Sequence, residues 1–256
     1  MSDIIQNGLG WIPDLPDHRD FLLSLPPVTV DQIPAKVDLR ENDSPIFNQG
    51  SLGSCTAQAI AAAYIFNLKK QQEELFVPSR LFIYYNERRM INTVKQDSGA
   101  MLRDGIKSIH TEGVCPEPSW PYDITQFKKK PKRRCYKEAL NYQTISYSRV
   151  ARDLDSFKGC LAYGLPFVFG FSVYESFYTR EVARTGMMLM PDLSEKRLGG
   201  HAVLAVGYDD TLDGGRFIVR NSWGTGWGDK GYFYMPYKYL TNKGLADDFW
   251  VIQSVE

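Results

Sequence analysis

The feature that most limits the fold of this chain is a change of hydrophobic period near residue 142. Upstream, apolar residues recur at helical spacing. Ala57, Ile60, Ala61, Tyr64, Ile65 and Leu68 mark an amphipathic, buried helix opened by Cys55, and helices follow over residues 79–89 and 101–109. Downstream, the pattern becomes that of strands: Phe167 to Val173, His201 to Tyr208, Arg216 to Arg220 and Tyr232 to Met235. The second and third of these flank Asp213-Gly214-Gly215, a hairpin turn signature. A helical half followed by an antiparallel half predicts an α+β protein of two packed lobes. At 256 residues the chain is long enough for a core that divides in two.

Ahead of both halves lies a stretch of different texture. Residues 1–32 contain Trp11-Ile12-Pro13-Asp14-Leu15-Pro16-Asp17-His18-Arg19-Asp20-Phe21 and a further proline pair, Pro26-Pro27. Proline disfavours helix here, and so few residues cannot bury a core. They read either as a linker or disordered tail, or as an extended pro-segment or strap laid across a cleft. The first eight residues lack the basic and long apolar regions of a secretory signal, and no run approaches the ~20 apolar residues of a membrane span.

Lys+Arg and Asp+Glu both total 30, so no global field points to nucleic acid or membrane. The local run Lys128-Lys129-Lys130-Pro131-Lys132-Arg133-Arg134 reads as a solvated loop, because no aromatic reading surface accompanies it. The four cysteines are Cys55, Cys115, Cys135 and Cys160. With Cys55 free, the other three allow at most one disulfide, which fits a reducing compartment and favours a cytoplasmic setting over a secreted one.

Cys55 follows Gln49-Gly50-Ser51-Leu52-Gly53-Ser54 and opens its helix. Unpaired N–H groups and the positive end of the helix dipole favour a thiolate at that place. A lone cysteine is ordinarily inert and buried, so a base is needed to make it a nucleophile. Of three histidines, His18 lies in the acidic strap and His110 ends a helix as a capping residue. His201 opens an apolar strand after Gly199-Gly200, where packing alone gives a polar ring no benefit, and it is the natural partner. Asn221, just past the next strand, can orient the imidazole without neutralising its cation, and Trp223 can shield that bond.

Cys55, His201 and Asn221 in this order resemble the papain-like cysteine peptidases. The similarity runs from about Ile33. It rests on Ile33-Pro34-Ala35-Lys36-Val37-Asp38-Leu39-Arg40, Ser98-Gly99-Ala100, Trp120-Pro121-Tyr122, Gly200-His201-Ala202-Val203 and Asn221-Ser222-Trp223-Gly224-Thr225-Gly226-Trp227-Gly228. The resemblance implies a two-lobe fold with a helical left lobe (about 40–145 plus the C-terminal tail) and an antiparallel β-barrel-like right lobe (about 146–240). The active-site cleft lies between them, within a peptidase domain of residues 33–256.

It further implies that Gln49 and the Cys55 amide hold an oxyanion, and that Gly99 and Ala100 bind substrate backbone. Gly200 offers its carbonyl to the scissile region, and Trp227 walls the leaving-group side. Met101, Leu102, Gly170, Gly199 and Ala202 surround a roomy apolar pocket for the substrate's second residue, with a preference for bulky hydrophobic side chains.

Two departures stand out. Leu52 takes the place of a family cysteine whose disulfide partner, near Gly99, is also missing, and Thr56 replaces an aromatic. They place the chain with bacterial and viral members that carry short pro-segments. Nothing between Gly113 and Tyr136 resembles the histidine-bearing occluding loop of the carboxydipeptidase branch, so an endopeptidase is implied. A monomer acting on a peptide or protein is expected, with the strap in cis and no metal, cofactor, nucleic acid or membrane. The competing readings are a transferase or amidase using the same thioester and a catalytically silent peptide-binding module.

Overall fold

A computed structural model describes residues 8–25 and 33–255, so Pro26 and Pro27 lie outside the described residues. The elements in chain order are β1 (Lys36–Asp38), α1 (Cys55–Gln71), α2 (Arg80–Met90), α3 (Leu102–Thr111), α4 (Arg133–Ala139), β2 (Thr144–Arg149), α5 (Leu154–Ala162), β3 (Phe167–Tyr174), α6 (Arg180–Thr185), β4 (Arg197–Asp209), β5 (Arg216–Arg220), β6 (Tyr232–Pro236), α7 (Tyr237–Thr241) and β7 (Ala246–Val255).

The helix opened by Cys55 is more deeply set than its amphipathic reading implies: every residue from Cys55 to Leu68 is buried. Its alanines allow close approach from all sides, with α2 and α3 packed on it and β4 and β7 beneath. It ends where Gln72 turns left-handed, φ 61°, and the Gln72 N–H bonds back to the Leu68 and Lys69 carbonyls. The side chains of Asn67 and Gln71 tie it to β7 through the Ile252 and Val255 carbonyls.

The strands form one antiparallel sheet in the order β2-β7-β3-β4-β5-β6, with β1 added to β4. The sheet is open rather than closed: β2 and β6 are its two ends, which corrects the barrel-like expectation. The Asp213-Gly214-Gly215 turn joins β4 to β5 as expected, all three residues having positive φ.

Strand alternation makes the sheet a wall between two cores. Ala202, Leu204 and Val206 of β4, with Trp250 and Ile252 of β7, face the helices. Val203 and Ala205, with Phe249 and Val251, face a second core of stacked aromatic rings that includes Phe157, Phe167, Phe169 and Phe217. The C-terminal tail, expected with the helical lobe, is therefore a strand of the sheet whose alternate residues serve both cores.

In the basic run Lys128–Lys130 are solvated as expected, but Arg133 and Arg134 begin α4. All four cysteines are free. Among the described residues no helix is long and apolar enough to cross a membrane.

Candidate active site

Two loops laced together carry the polar groups. Arg220, at the end of β5, is buried and paired with Asp43 at 2.9 Å, and its guanidinium donates to the Ser44 and Pro45 carbonyls. That anchor fixes the approach to Phe47-Asn48-Gln49. The Gln49 N–H then donates to the Ser222 carbonyl, and the Gly224 N–H to that of Phe47. Ser222 Oγ donates to Gln49 Oε1 at 2.6 Å, so the amide oxygen is spoken for and the amide NH₂ is directed elsewhere. Ser222 is a residue the sequence reading passed over, although it sits inside the Asn221 motif.

His201 Nε2 donates to Asn221 Oδ1 at 2.8 Å. Both side chains are buried, and the Trp223 ring covers the imidazole with centroids 4.9 Å apart, the shielding expected of it. His201 Nδ1 is left without a hydrogen-bond partner. Trp227 packs edge-on to Trp223 and beside Phe177, half exposed. His18 is exposed, and His110 uses Nδ1 on the Thr144 carbonyl of β2 rather than on its own helix end.

Cys55 sits at the first position of α1 and is wholly buried. Burial pushes its thiol up to about 12, against backbone N–H groups of Ala202, Gly10 and Thr56 that point at the sulfur. Burial likewise pushes His201 down to about 4, with the Asn221 hydrogen bond opposing. A stabilised thiolate was expected at this helix end. In this covered site desolvation opposes the N–H groups and raises the cost of charging either side chain.

What covers the site is the strap. Gln49 Nε2 donates to the Gly8 carbonyl at 2.9 Å, and the Gly10 N–H faces the Cys55 sulfur. The Ala100 N–H donates to the Gly10 carbonyl, the Ile12 N–H to the Ala100 carbonyl, and the Trp11 N–H to the Gly200 carbonyl at 3.0 Å. Only glycine fits this path: a Cβ on Gly10 would lie 1.8 Å from the Gly53 carbonyl oxygen, and one on Gly99 2.1 Å from that of Gly10. Leu9 lies against Gly199, and the Trp11 indole lies over Gly170. Of the other pocket residues, Met101 caps α3 half-buried, while Leu102 points into the helical core.

The strap is then pinned by charge. Asp14 accepts from Trp250 Nε1 and from the Arg103 N–H, while Arg103 donates to the Leu15 carbonyl and to Asp20. Asp248 Oδ2 accepts from Trp11 Nε1 at 3.0 Å and from the Asp14 N–H at 2.8 Å, and its other oxygen pairs with Arg149. Leu22 finally bridges to Arg149 on the edge strand β2. Asp248 was missed in the sequence. The only signal was an acidic pair, Asp247-Asp248, opening an aromatic strand.

This arrangement of chain order, sheet and cleft has counterparts. The family profile described as "Papain family cysteine protease" matches residues 33–251. The chain belongs to the papain family of cysteine proteases. Such a protein is a hydrolase of peptide bonds.

Xylellain, a cysteine protease from Xylella fastidiosa, superposes with a TM-score of 0.90 at 48% identity, covering 98% of this chain and 97% of that one. An uncharacterised peptidase C1-like protein of Acanthamoeba polyphaga mimivirus is 43% identical over 99% of this chain and 89% of its own length. Cysteine proteinase 3 of Entamoeba histolytica is 26% identical, covering 96% of this chain and 76% of the relative.

Proposed function

We propose that this family member is an endopeptidase working through Cys55, His201 and Asn221, and that residues 1–32 restrain the peptidase domain of residues 33–256. The observation that carries this reading is the course of Gly8 to Trp11. One short piece of backbone meets the Gln49 amide, the Cys55 sulfur, Ala100 and the Gly200 carbonyl in succession, as a bound peptide would.

Once a substrate replaces the strap, His201 Nδ1 takes the thiol proton as Cys55 Sγ attacks the carbonyl carbon. Gln49 Nε2 and the Cys55 N–H hold the resulting oxyanion. Collapse expels the amine with the proton from Nδ1 and leaves a thioester. Water, deprotonated by the same nitrogen, then cleaves the thioester and restores the thiol. Asn221 keeps Nε2 occupied throughout, so Nδ1 faces the reaction.

Burial under the strap disfavours the charged forms of both the thiol and the ring.

Cys55→Ala abolishes cleavage of an unstructured peptide, read by mass spectrometry; surviving cleavage at the same bonds refutes the mechanism. Trp11→Ala loosens the strap and raises the rate of Cys55 alkylation at least tenfold. An unchanged alkylation rate would show that the strap restrains nothing.

A further inference from the structure

We infer that the pocket holding Trp11 is built for an indole, so that this peptidase selects tryptophan as the substrate's second residue, with Asp248 as the specificity-determining side chain. The inference rests on the reading of the strap as occupant of the substrate cleft.

Size is the first argument. The indole is almost wholly enclosed, Trp11 being 7% exposed. The space exists because two wall positions lack a side chain. A Cβ on Gly170 would fall 1.9 Å from Cε2 and 2.2 Å from Nε1 of the indole, and one on Gly200 2.8 Å from Cε3. Alanine at Gly170 narrows the pocket to a single ring, whereas at Gly200 it would first meet the Trp11 carbonyl oxygen, 2.4 Å away.

Chemistry is the second. Asp248 is 2% exposed and held at φ 59°, with Oδ2 on Trp11 Nε1 at 3.0 Å. When the strap leaves, this oxygen loses both of its donors, the indole N–H and the Asp14 N–H. Phenylalanine or leucine would bury Oδ2 without replacing either, leaving only the Arg149 pair on Oδ1. A site that holds a buried acceptor for a substrate N–H discriminates strongly against ligands lacking it.

An arginine is disfavoured for a different reason, since Arg149 already pairs with the carboxylate at 2.8 Å and a second guanidinium would face the first. The glycine gaps and the carboxylate belong to the enzyme. The pocket's chemistry is therefore the same whichever way the occupying chain runs. This narrows the bulky hydrophobic preference implied by the sequence to a ring with a donor.

The test uses fluorogenic peptide amides that differ only at the second residue: Trp, Phe, Leu or Arg. They are assayed with the full chain and with its Trp11→Ala variant. The expected kcat/KM for Trp exceeds that for Phe by about tenfold or more. Gly170→Ala inverts the ratio by filling the gap, and Asp248→Gly, which suits the positive φ, brings it near one. Equal or better turnover of Phe, Leu or Arg by the unsubstituted chain or the Trp11→Ala variant overturns the inference, whatever the fate of the pocket variants.

A second arm measures protection of Cys55 from alkylation in the Trp11→Ala chain by N-acetyltryptophanamide and by its phenylalanine analogue. Stronger protection by the indole without any turnover supports the pocket and overturns the peptidase mechanism. Turnover without an advantage for Trp does the reverse, and absence of both overturns both.

Discussion

At the scale of single residues, the role proposed for Gln49 depends on its neighbours. Its amide has two ends, and the Ser222 hydroxyl on Oε1 together with the Leu52 carbonyl on Nε2 decides which one faces the cleft. Gln49→Ala in a Trp11→Ala background lowers kcat about 10²-fold, while titration with a thiol-reactive peptide still counts one reactive Cys55 per chain. A loss of only a few-fold would remove Gln49 from the oxyanion site. The residues proposed to carry the reaction stood out in the sequence because Cys55, His201 and Asn221 each sit in a local signature: a helix start, a strand start or a strand end. Asp248 and Ser222 were not legible as partners. Their significance lies in contacts across 237 and 173 positions of chain, which no local pattern encodes. The covering of the thiol was not legible for a related reason: a helix N-terminus is visible in sequence, but the strap laid over it is a tertiary fact.

At the scale of elements, the strap reads as a belt of short contacts with two buckles. One is Gly8 to Ile12 in the cleft; the other is the charged cluster around Asp14, Asp20, Arg103, Arg149 and Asp248. The Asp14 carboxyl is raised to about 7 by burial and by the nearby Asp248 charge, with Trp250 and Arg103 opposing and Arg149 3.9 Å away. Released from the cleft, Asp14 returns to the ordinary carboxylate range near 3.8. The closed strap therefore binds an extra proton between these values. Closure is strongest below about pH 4 and weakens by up to about tenfold per unit as pH rises toward 7, then levels off. The ratio of Cys55 alkylation rates, unsubstituted chain over Asp14→Asn, accordingly climbs across that window. A flat ratio would mean that Asp14 does not govern the strap. The strap's extended course was foreseen from its prolines, and its aromatic anchor from Trp11. Its glycines gave no such warning, because close approach to another backbone is invisible until that backbone is placed.

At the scale of the whole molecule, the sheet joins the two lobes by lending a face to each. The change of period near residue 142 anticipated the division into helical and β halves. It could not show that β7, the last strand, would insert between β2 and β3, since that pairing closes a loop of most of the β half. The helical side also stores a buried acid. Thr56 Oγ1 donates to Glu87 Oε2 at 2.8 Å, and Glu87 Oε1 has no partner. Burial, aided by Asp104, raises Glu87 to about 8 against the Thr56 bond. The folded protein thus holds a proton that the unfolded chain releases near 4.5. Stability from this group is complete below about 4.5 and is lost as pH rises through 8, at up to about 1.4 kcal/mol per unit. Thermal unfolding between pH 5 and 8 shows this slope, and Glu87→Gln flattens it; parallel profiles would dismiss Glu87 as its source. The strap's attachment to the domain it covers has a kinetic meaning of its own. A tethered occupant acts at an effective concentration on the order of millimolar, which dilute peptides cannot match. One cut between strap and domain would turn the same contacts into a bimolecular equilibrium, so dilution alone would then switch the enzyme on.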